Sequence, residues 1–539
     1  MTTSTPSSGL PQRTNRQNGV VYTPPKIAAA ITAKAVEMGY ADGAVLEPSV
    51  GDGAFLDALM ACGVKAQAIT AADVDPEVLR ELQTRAPAAR YHRGDFIEFA
   101  LSEVETKHRL VIGNPPYIRR ANFHPKFAAA LDRLSEASSY PRSLLKNAWA
   151  AFVAAAELVL APDGMLVFVV PYELLNVDYG VAIQRFLAEK FGRVDVVVSE
   201  RKAFQSLDQD AVVFFAQRSS PTEGVFIHRV NDFEHLNLEE GRRVEYDDDI
   251  QVSLSLKSFL IDLDLTEWLS TIRTSAKTVG DYFSSHTGTV TAANEYFILR
   301  KTDVERLGLS EWARPILKKG SYLSDGPIFN LEDFERMAEH YPAYVLDFRS
   351  VDGVPSEFVQ SYLNQGVSRG IDQSYKARHR AVWYHVPIAK TSSAFFFKRS
   401  HSYPRIILNQ ADCLVTDTAY VITPISEQTV EGLCFSFYNS ITLLFSEIEG
   451  RFYGGGVLEL TPKEFRRLPL FYSEPSAEEF RRFSDRSRWA DPKSLALHGD
   501  EFLVRQHGFS KEELNRVHNA WIALRNHRLR HGTRSIEGG

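Results

Sequence analysis

The sequence predicts an α/β protein: a doubly wound, mostly parallel, Rossmann-like sheet followed by a mixed α+β domain. Apolar strand-like runs alternate with helical patterns from about residue 20 to residue 220. Turns rich in glycine, aspartate or proline follow several of these runs, at the strand ends where such sheets form their ligand crevice. After about residue 220 the alternation is lost, and the segments become shorter, strand-like and aromatic.

The chain length indicates more than one domain, since 539 residues exceed the roughly 100–200 residues of a typical domain. We predict a disordered arm at residues 1–19, which are rich in Ser, Thr, Pro, Gln and Asn. A first folded domain is predicted over residues 20–235 and a second over residues 236–475. A helical region associated with the second domain is predicted over residues 476–539.

The composition is that of an ordinary globular protein, with 44% hydrophobic and 24% charged residues. The net charge is −7, so a nucleic-acid partner would have to be met by a local basic surface. Cys62, Cys413 and Cys434 lack metal-ligand spacing, which favours reduced thiols, a cytosolic protein and no metal. No apolar run approaches the ~18 residues of a membrane span, and no secretory signal pattern opens the chain, so we expect no membrane partner.

The elements of the first domain follow in order. The segment IAAAITAKAVEMG predicts a helix ending at Gly39, and AVLEPSVGDGAFLDALM predicts a strand, a glycine turn and a helix. AITAADVDPEVLRELQTRA repeats the strand, turn and helix, and RLVIGNPPY begins with a strand. A helix closed by Gly164 is predicted from NAWAAFVAAAELVLAPDG. The remaining predicted strands are MLVFVVP, VDVVVSE and, as the last, AVVFFAQ.

The glycine turn is the first candidate binding feature. Gly51 and Gly53 lie between a strand and a helix, where glycine lets the backbone approach a ligand. Asp73 follows about 20 residues after Gly53, at the position of an acid that binds ribose hydroxyls in nucleotide-binding folds. A purely structural turn is the alternative for the glycines. Asp75 precedes a proline and is assigned to helix capping.

The segment RGDFIEF adds two candidate adenine contacts. Asp95 could accept a hydrogen bond from the amino group of adenine, and Phe96 could stack on the ring. The alternative for Phe96 is a core position. Together with Asp73, these residues favour an adenosine pocket. No phosphate-binding GxxxxGK[ST] motif is present, which argues against ATP or GTP and favours S-adenosylmethionine.

The GNPPY segment predicts chemistry at a planar amine. Asn114 has a side-chain carbonyl, and Pro115 has a backbone carbonyl without a competing donor. Two such acceptors could localise the lone pair of an exocyclic amino group, while Pro115 and Pro116 stiffen the turn. Tyr117 could stack on a base. The alternative is an ordinary strand-ending turn, since Asn, Pro and Gly all favour turns.

These motifs resemble those of a known family. The order VVYTPP, LEPSVGDG, ADVD, GDF and NPPY resembles that of gamma-group class I N6-adenine DNA methyltransferases, with a TaqI-methylase-like catalytic domain. The resemblance covers residues 20–220 motif by motif. It implies a site-specific adenine DNA methyltransferase of a restriction–modification system, located in the bacterial or archaeal cytosol. It also implies S-adenosylmethionine as methyl donor, double-stranded DNA as substrate and a restriction endonuclease acting separately.

The resemblance also assigns residues. Thr23 corresponds to a residue that meets the cofactor carboxylate, and Glu47 lies in the glycine-loop motif. Phe152 corresponds to a cofactor-side aromatic, with plain helix core as the alternative. Phe204 corresponds to a second aromatic against the extruded base, with a core position as the alternative. The implied reaction is direct transfer to a flipped-out adenine, without a metal.

In the second domain, which the resemblance assigns to target recognition, cations are interleaved with aromatic residues. These candidates could meet phosphates and base edges, or could simply form a solvated surface. They are Lys318, Lys319, Lys376, Arg378, Arg380, Trp383 and Tyr384. The small polar loops at residues 291–294 and 454–456 could approach a groove.

Three other functions remain open. NPPY also occurs in enzymes that methylate RNA bases or protein glutamine, although those chains tend to be short. A fused restriction–modification enzyme would need a nuclease domain, for which we find no motif. A non-catalytic DNA-binding specificity protein with a relic fold is the alternative outside enzymes.

Overall fold

The structure, a computed structural model, shows two compact units. It describes residues 22–103, 105–175, 178–200, 211–238, 241–244, 257, 261–323, 326–350, 356–453, 456–485, 489 and 491–529. The first unit extends to Leu263 and includes residues 452–455. The second unit contains the rest of the chain from Asp264 onward.

A nine-stranded sheet forms the first unit. Its strands are β1 (Val45–Glu47), β2 (Ile69–Asp73), β3 (Arg90–Arg93), β4 (His108–Gly113), β5 (Leu160–Pro171), β6 (Arg193–Ser199), β7 (Ala211–Gln217), β8 (Gly224–Val230) and β9 (Arg242–Val244). The order across the sheet is β3-β2-β1-β4-β5-β7-β6-β8-β9. The strands from β3 to β5 are parallel, and β7 runs antiparallel to both β5 and β6. The predicted doubly wound, mostly parallel sheet is therefore confirmed.

Seven helices of the first unit connect or flank these strands in the described part of the chain. They are α1 (Pro25–Glu37), α2 (Ala54–Ala61), α3 (Pro76–Arg85), α4 (Phe96–Ser102), α5 (Pro125–Ser138), α6 (Ala148–Val159) and α7 (Asp178–Lys190). The central strands β5 and β7 are buried almost throughout, because helices cover both faces of the sheet. Their continuous apolar runs reflect this burial.

Two details of the first unit differ from the sequence predictions. The helix predicted to close at Gly164 ends at Val159, because the chain enters β5 at Leu160, which pairs with His108. The segment AVVFFAQ is not the last strand: β8 pairs in parallel with β6, and β9 pairs with β8. The sheet therefore continues beyond residue 220, and the first unit ends later than the predicted boundary at residue 235.

The second unit is mixed α and β, as its irregular sequence pattern predicted. A five-stranded sheet has the order β10-β19-β15-β17-β13, a four-stranded sheet β11-β14-β12-β18, and a three-stranded sheet β16-β21-β20. The strands are β10 (Phe283–Thr287), β11 (Ile298–Leu299), β12 (Ala313–Leu317), β13 (Ile328–Phe329), β14 (Tyr344–Leu346), β15 (Ala394–Phe397), β16 (Arg399–Ser400), β17 (Ile406–Asn409), β18 (Leu414–Val415), β19 (Ala419–Pro424), β20 (Arg451–Tyr453), of which only Arg451 is assigned to this unit, and β21 (Val457–Glu459).

The helices of the second unit are mostly short. They are α8 (Leu263–Ser275), α9 (Val279–Tyr282), α10 (Asn294–Phe297), α11 (Lys301–Arg306), α12 (Leu331–His340), α13 (Glu357–Ser368), α14 (Tyr375–Arg378), α15 (Val430–Phe437), α16 (Ser440–Glu449), α17 (Pro462–Arg466), α18 (Ala477–Phe483), α19 (Pro492–His507) and α20 (Lys511–Leu529). Within the described ranges, no helix has both the length and the apolar character needed to cross a membrane.

The C-terminal helices are integral to the second unit. Ser440, at the start of α16, donates its backbone N–H (2.8 Å) and its hydroxyl (2.6 Å) to Asp500 of α19. The guanidinium of Arg528 in α20 donates two hydrogen bonds to the carboxylate of Glu447 in α16, from Nε at 2.8 Å and Nη2 at 2.7 Å. Both partners are buried, so this ion pair fixes α20 against α16.

Replacing Arg528 by alanine tests the importance of the buried ion pair. We expect Arg528→Ala to lower the free energy of unfolding by about 3–5 kcal/mol, since Glu447 would remain buried without its cation. Denaturant unfolding measures this difference.

A matched control lies on the same helix. Arg516 pairs with Asp264 at 3.9 Å on the surface, where solvent screens the attraction, so Arg516→Ala should leave stability nearly unchanged. The double variant Arg528→Met with Glu447→Leu should recover much of the lost stability. Equal stability of the wild-type protein and Arg528→Ala would contradict the assigned role.

Candidate functional site

The candidate site lies at the carboxyl edge of the first-unit sheet, where the strand order changes direction. β1 is paired with β2 on one side and with β4 on the other. Glu47 ends β1, Asp73 ends β2, and Asn114 follows β4. Parallel strands leave a crevice for ligands at such a reversal, and these three predicted residues stand at its edge.

The glycine turn after β1 requires its glycines for conformation and packing. Gly51 and Gly53 have φ values of +51° and +85°, in the left-handed region. A Cβ on Gly53 would lie 2.6 Å from Cδ2 of Leu82. Arg85 stabilises the glycine turn. Its Nη1 donates to Oδ2 of Asp57 at 2.7 Å, and its Nη2 donates to the carbonyl of Asp52.

The carboxylate of Asp73 connects the ends of the first two strands. Its Oδ2 accepts the backbone N–H of Gly51 at 3.0 Å, and its Oδ1 accepts the backbone N–H of Asp75 at 2.9 Å. Each carboxylate oxygen can accept more than one hydrogen bond, so capacity for a ligand remains. Asp75 caps α3 through the N–H of Glu77 at 2.8 Å, which confirms its predicted capping role.

Asp95 and its neighbouring aromatic residues have clear structural partners. Oδ1 of Asp95 caps α4 by accepting the N–H of Ile97 at 2.8 Å, and burial raises the pKa of this carboxyl. The rings of Phe96 and Phe152 pack with centroids 5.0 Å apart, and both side chains are buried. The structure thus brings the two predicted cofactor aromatics together, in a contact that core packing also explains.

Glu47 has an unusual position for an acid. Its side chain is 1% exposed, and its Oε2 has no hydrogen-bond partner among the described residues. Burial raises the pKa of the Glu47 carboxyl well above its usual range, and the charges of Asp52, Asp57 and Asp73 add to this effect. A buried acceptor without a donor is costly, so this carboxyl is suited to a ligand that brings a donor or a positive charge.

Hydrogen bonds hold the GNPPY turn at three points. Nδ2 of Asn114 donates to Oγ1 of Thr23 at 3.1 Å, and Oγ of Ser49 donates to the backbone carbonyl of Asn114 at 3.1 Å. The hydroxyl of Tyr117 donates to the carbonyl of Val169 in β5 at 3.3 Å. The hydrogen bond to Thr23 therefore restrains the plane of the Asn114 amide and the direction of its Oδ1. Thr23 is itself a predicted cofactor contact.

The chain beyond the turn pairs with the entry to α6. The N–H of Arg120 donates to the carbonyl of Lys146 at 2.9 Å, and the N–H of Ala148 donates to the carbonyl of Ile118 at 2.8 Å. Phe152 lies on that same helix. Backbone hydrogen bonds therefore connect the segment after the GNPPY turn to the start of α6, the helix that carries Phe152.

Sequence reasoning missed three residues near this edge. Ser49 and Arg85 position the turns, and the half-exposed ring of Tyr22 lies 3.2 Å from where a Cβ on Gly51 would be. Ser49 and Tyr22 stand inside the motifs LEPSVGDG and VVYTPP, but only the fold shows their contacts. Phe204 lies outside the described residues, so its predicted role stays a prediction.

The predicted DNA contacts of the second unit divide into two groups. Lys319, Lys376 and Arg378 are exposed. The other four make contacts within the unit, so their predicted role in DNA binding stays a prediction. Lys318 is buried and paired with Glu295 at 2.5 Å, Arg380 donates to the carbonyls of residues 290, 291 and 383, and Trp383 and Tyr384 pack against an aromatic core.

Family models match most of the chain. The model for the Eco57I restriction-modification methylase matches residues 72–203, and the model for the C-terminal domain of type II methyltransferase M.Eco57I matches residues 255–503. The first match spans Asp73 and the GNPPY turn. The second lies almost entirely in the second unit.

Individual relatives cover both units. Type II methyltransferase M.XamI of Xanthomonas campestris pv. amaranthicola is 23% identical over 84% of this chain and 85% of its own. Type II methyltransferase M.AccI of Acinetobacter calcoaceticus is 21% identical over 78% of this chain and 80% of its own. A solved structure of the type IIL restriction-modification enzyme MmeI in complex with DNA has a TM-score of 0.52 at 9% identity, covering 95% of this chain and 73% of that one.

Replacing Glu47 by glutamine in the ligand-free protein tests its electrostatic state. The pKa of Glu47 is higher in the folded state than in the unfolded state, so its contribution to stability is lost as the pH rises above the unfolded value. We expect Glu47→Gln to match the wild type near pH 4 and to become increasingly more stable than it towards pH 8. Thermal unfolding across this range measures the gap, and a gap independent of pH would contradict the assignment.

Proposed function

The chain belongs to the type II restriction–modification DNA methyltransferases, and from this premise we propose that it methylates N6 of adenine in double-stranded DNA. The observation that supports the adenine assignment is the GNPPY turn after β4, in which hydrogen bonds to Thr23 and from Ser49 hold Asn114. In its restriction–modification system the enzyme would protect DNA from a separate endonuclease.

The methyl donor is S-adenosylmethionine, and the residues of the candidate site fit it. The unpartnered oxygen of Glu47 could accept a hydrogen bond from the ligand, and the positive charge of the bound sulfonium and amino groups would favour the ionised form of its carboxyl. Asp73 retains acceptor capacity for ribose hydroxyls, and Phe96 and Phe152 stay the candidates for contact with the purine ring, although both are buried without it. When bound, this cofactor supplies a methyl group activated by the sulfonium charge.

The residues of the turn act on the target amino group. The lone pair of an exocyclic amine is delocalised into the ring, which makes the nitrogen a weak nucleophile. Oδ1 of Asn114 and the carbonyl oxygen of Pro115 would accept its two N–H bonds and draw the nitrogen towards tetrahedral geometry. They would also hold these hydrogens while the nitrogen gains positive charge, before one proton leaves to water. Because the Asn114 amide is held by Thr23 and the prolines restrict the backbone of the turn, little reorganisation would be required during the reaction.

The target base must leave the duplex to reach this turn, since its amino group is inaccessible within the stack. Tyr117 would stack on the extruded ring, and the bond from its hydroxyl to Val169 limits its rotation. Phe204 would provide a second ring. Orientation of the amine against the donor supplies the greater part of the acceleration in such a mechanism.

Replacing Asn114 by alanine tests the catalytic assignment. We expect Asn114→Ala to reduce methyl transfer to duplex DNA by at least about 100-fold, the loss typical of removing one preoriented polar group, while S-adenosylmethionine binding remains measurable by calorimetry. Asn122→Ala, an exposed residue just beyond the turn, is the matched control and should keep full activity.

Transfer of tritiated methyl to duplex DNA, RNA and protein identifies the substrate, and mass spectrometry of the hydrolysed DNA identifies the base. N6-methyladenine is the expected product. Label in N4-methylcytosine would refute the adenine assignment, and label in RNA or protein alone would refute the proposed function. Near-full activity of Asn114→Ala would remove the proposed role of its amide.

Replacing Thr23 by valine tests whether the orientation of the amide matters. Valine has the same shape but cannot accept the Asn114 N–H, so we expect kcat to fall by roughly 10- to 100-fold and the free energy of unfolding to fall by no more than about 1–3 kcal/mol. Thr32→Val is the matched control, because the buried hydroxyl of Thr32 has no partner among the described residues. Equal kcat values for the two variants would contradict the positioning role.

A further inference from the structure

A basic cavity of about 610 Å³ lies within the second unit, between the segment that follows β12 and the segment that follows β15. Its lining contains the cationic side chains of Lys319, Lys398, Arg399 and Arg405 and one carboxylate, Asp417. The cavity differs from the surface predicted in sequence, since Lys319 is the only member of that prediction that lines it.

The positive charge of the cavity is only partly compensated. Glu459 is buried and accepts Nε of Arg399 at 2.5 Å, and its other oxygen lies 3.7 Å from Nζ of Lys398. Lys319 is exposed and forms no ion pair within the described parts of the chain. The lining therefore combines four cationic side chains with one carboxylate, and the exposed Lys319 is accessible to a ligand anion.

Hydroxyl groups supply further donors. They belong to Ser321, Ser400 and Ser402; the hydroxyls of Tyr403 and Thr418 also line the cavity but already donate to the carbonyls of Trp489 and Lys318. Gly320 brings the first wall close to the second, because a Cβ there would lie 3.1 Å from the ring of Phe397. Cations combined with hydroxyl donors are the groups that proteins direct at phosphate oxygens.

The second wall is held in place from behind. Nε of Arg525 donates to the carbonyl of Ser402 at 2.8 Å, and Nη1 of Arg528 donates to the carbonyl of His401 at 2.6 Å. Nη2 of Arg405 donates to the carbonyl of Gly326 at 2.9 Å. The cavity is consequently formed before any ligand arrives, which reduces the ordering cost of binding.

We propose that this cavity is a phosphodiester-binding site that holds a segment of the DNA backbone. The assignment rests on the proposed function, and it adds a contact that positions the duplex without reading its sequence. The volume lies within the range of about 300–1,000 Å³ of sites that enclose an organic ligand, so a lone phosphate ion would leave much of it empty. A run of backbone phosphate and sugar fills such a space.

The test is the salt dependence of DNA affinity in Lys319→Gln and Lys398→Gln. Removing one phosphate contact lowers the slope of log K against log salt by about 0.9, so the loss of affinity between 50 and 200 mM salt becomes about 3.5-fold smaller. We expect this change with specific and with unrelated duplexes alike. Lys319→Arg keeps the charge and should retain the wild-type slope. Lys301→Gln removes an exposed lysine of the same unit that does not line the cavity, and it should also retain the wild-type slope of log K against log salt.

The outcomes separate the two proposals. Wild-type slopes in both glutamine variants, with DNA methylation by the wild type intact, would overturn the cavity assignment alone. Failure of the wild type to bind or methylate DNA would refute the proposed function and the cavity assignment with it. Calorimetric binding of inorganic phosphate that both glutamine variants lose, without any change in their DNA slopes, would show an anion site and overturn the assignment to the DNA backbone.

Discussion

The GNPPY turn depends on one constraint: Asn114 is held by its side chain and by its main chain at the same time. Thr23 accepts from the amide nitrogen, and Ser49 donates to the backbone carbonyl. An asparagine amide can otherwise rotate through a wide range about its last torsion. Restraint at both ends converts a flexible polar group into a directed acceptor. The buried parallel strands matter for function because they bring these separate segments to one edge.

The same edge shows how a ligand site uses groups that also maintain the fold. Asp73 holds the glycine turn through Gly51, and Asp95 begins α4 through the N–H of Ile97. Both can serve a ligand without giving up their backbone bonds. Glu47 differs, because one oxygen has no partner in the described structure and its carboxyl resists ionisation. The unpartnered oxygen of Glu47 lowers the stability of the folded protein, and a bound ligand that donates to it would recover this loss. Such a trade-off between stability and binding is expected of a functional site.

The sequence predicted those features that depend on local pattern. The strands β4, β5 and β7 are continuous apolar runs, the positive φ of Gly53 follows from its turn, and Asp75 caps the helix that begins at Pro76. Strand β8 was missed because it contains His228 and Arg229, which interrupt the apolar pattern.

Contacts between distant segments were beyond sequence reasoning. Thr23 and Asn114 are 91 residues apart, and no sequence pattern predicts their hydrogen bond. For the same reason Lys318 looked like an open cation, although the fold buries it beside Glu295. The cavity of the second unit is lined by segments near residues 320, 400 and 417, each unremarkable alone.

The anchoring of the second unit by Arg525 and Arg528 has a consequence for synthesis. The ribosome releases the first unit long before these arginines exist, and domains generally fold in the order in which they emerge. The segments around His401 and Ser402 must then wait for some 120 further residues before their carbonyls find donors. A chain interrupted in this interval carries the candidate site of the first unit but lacks the finished second unit, so a truncated product would not have the complete fold.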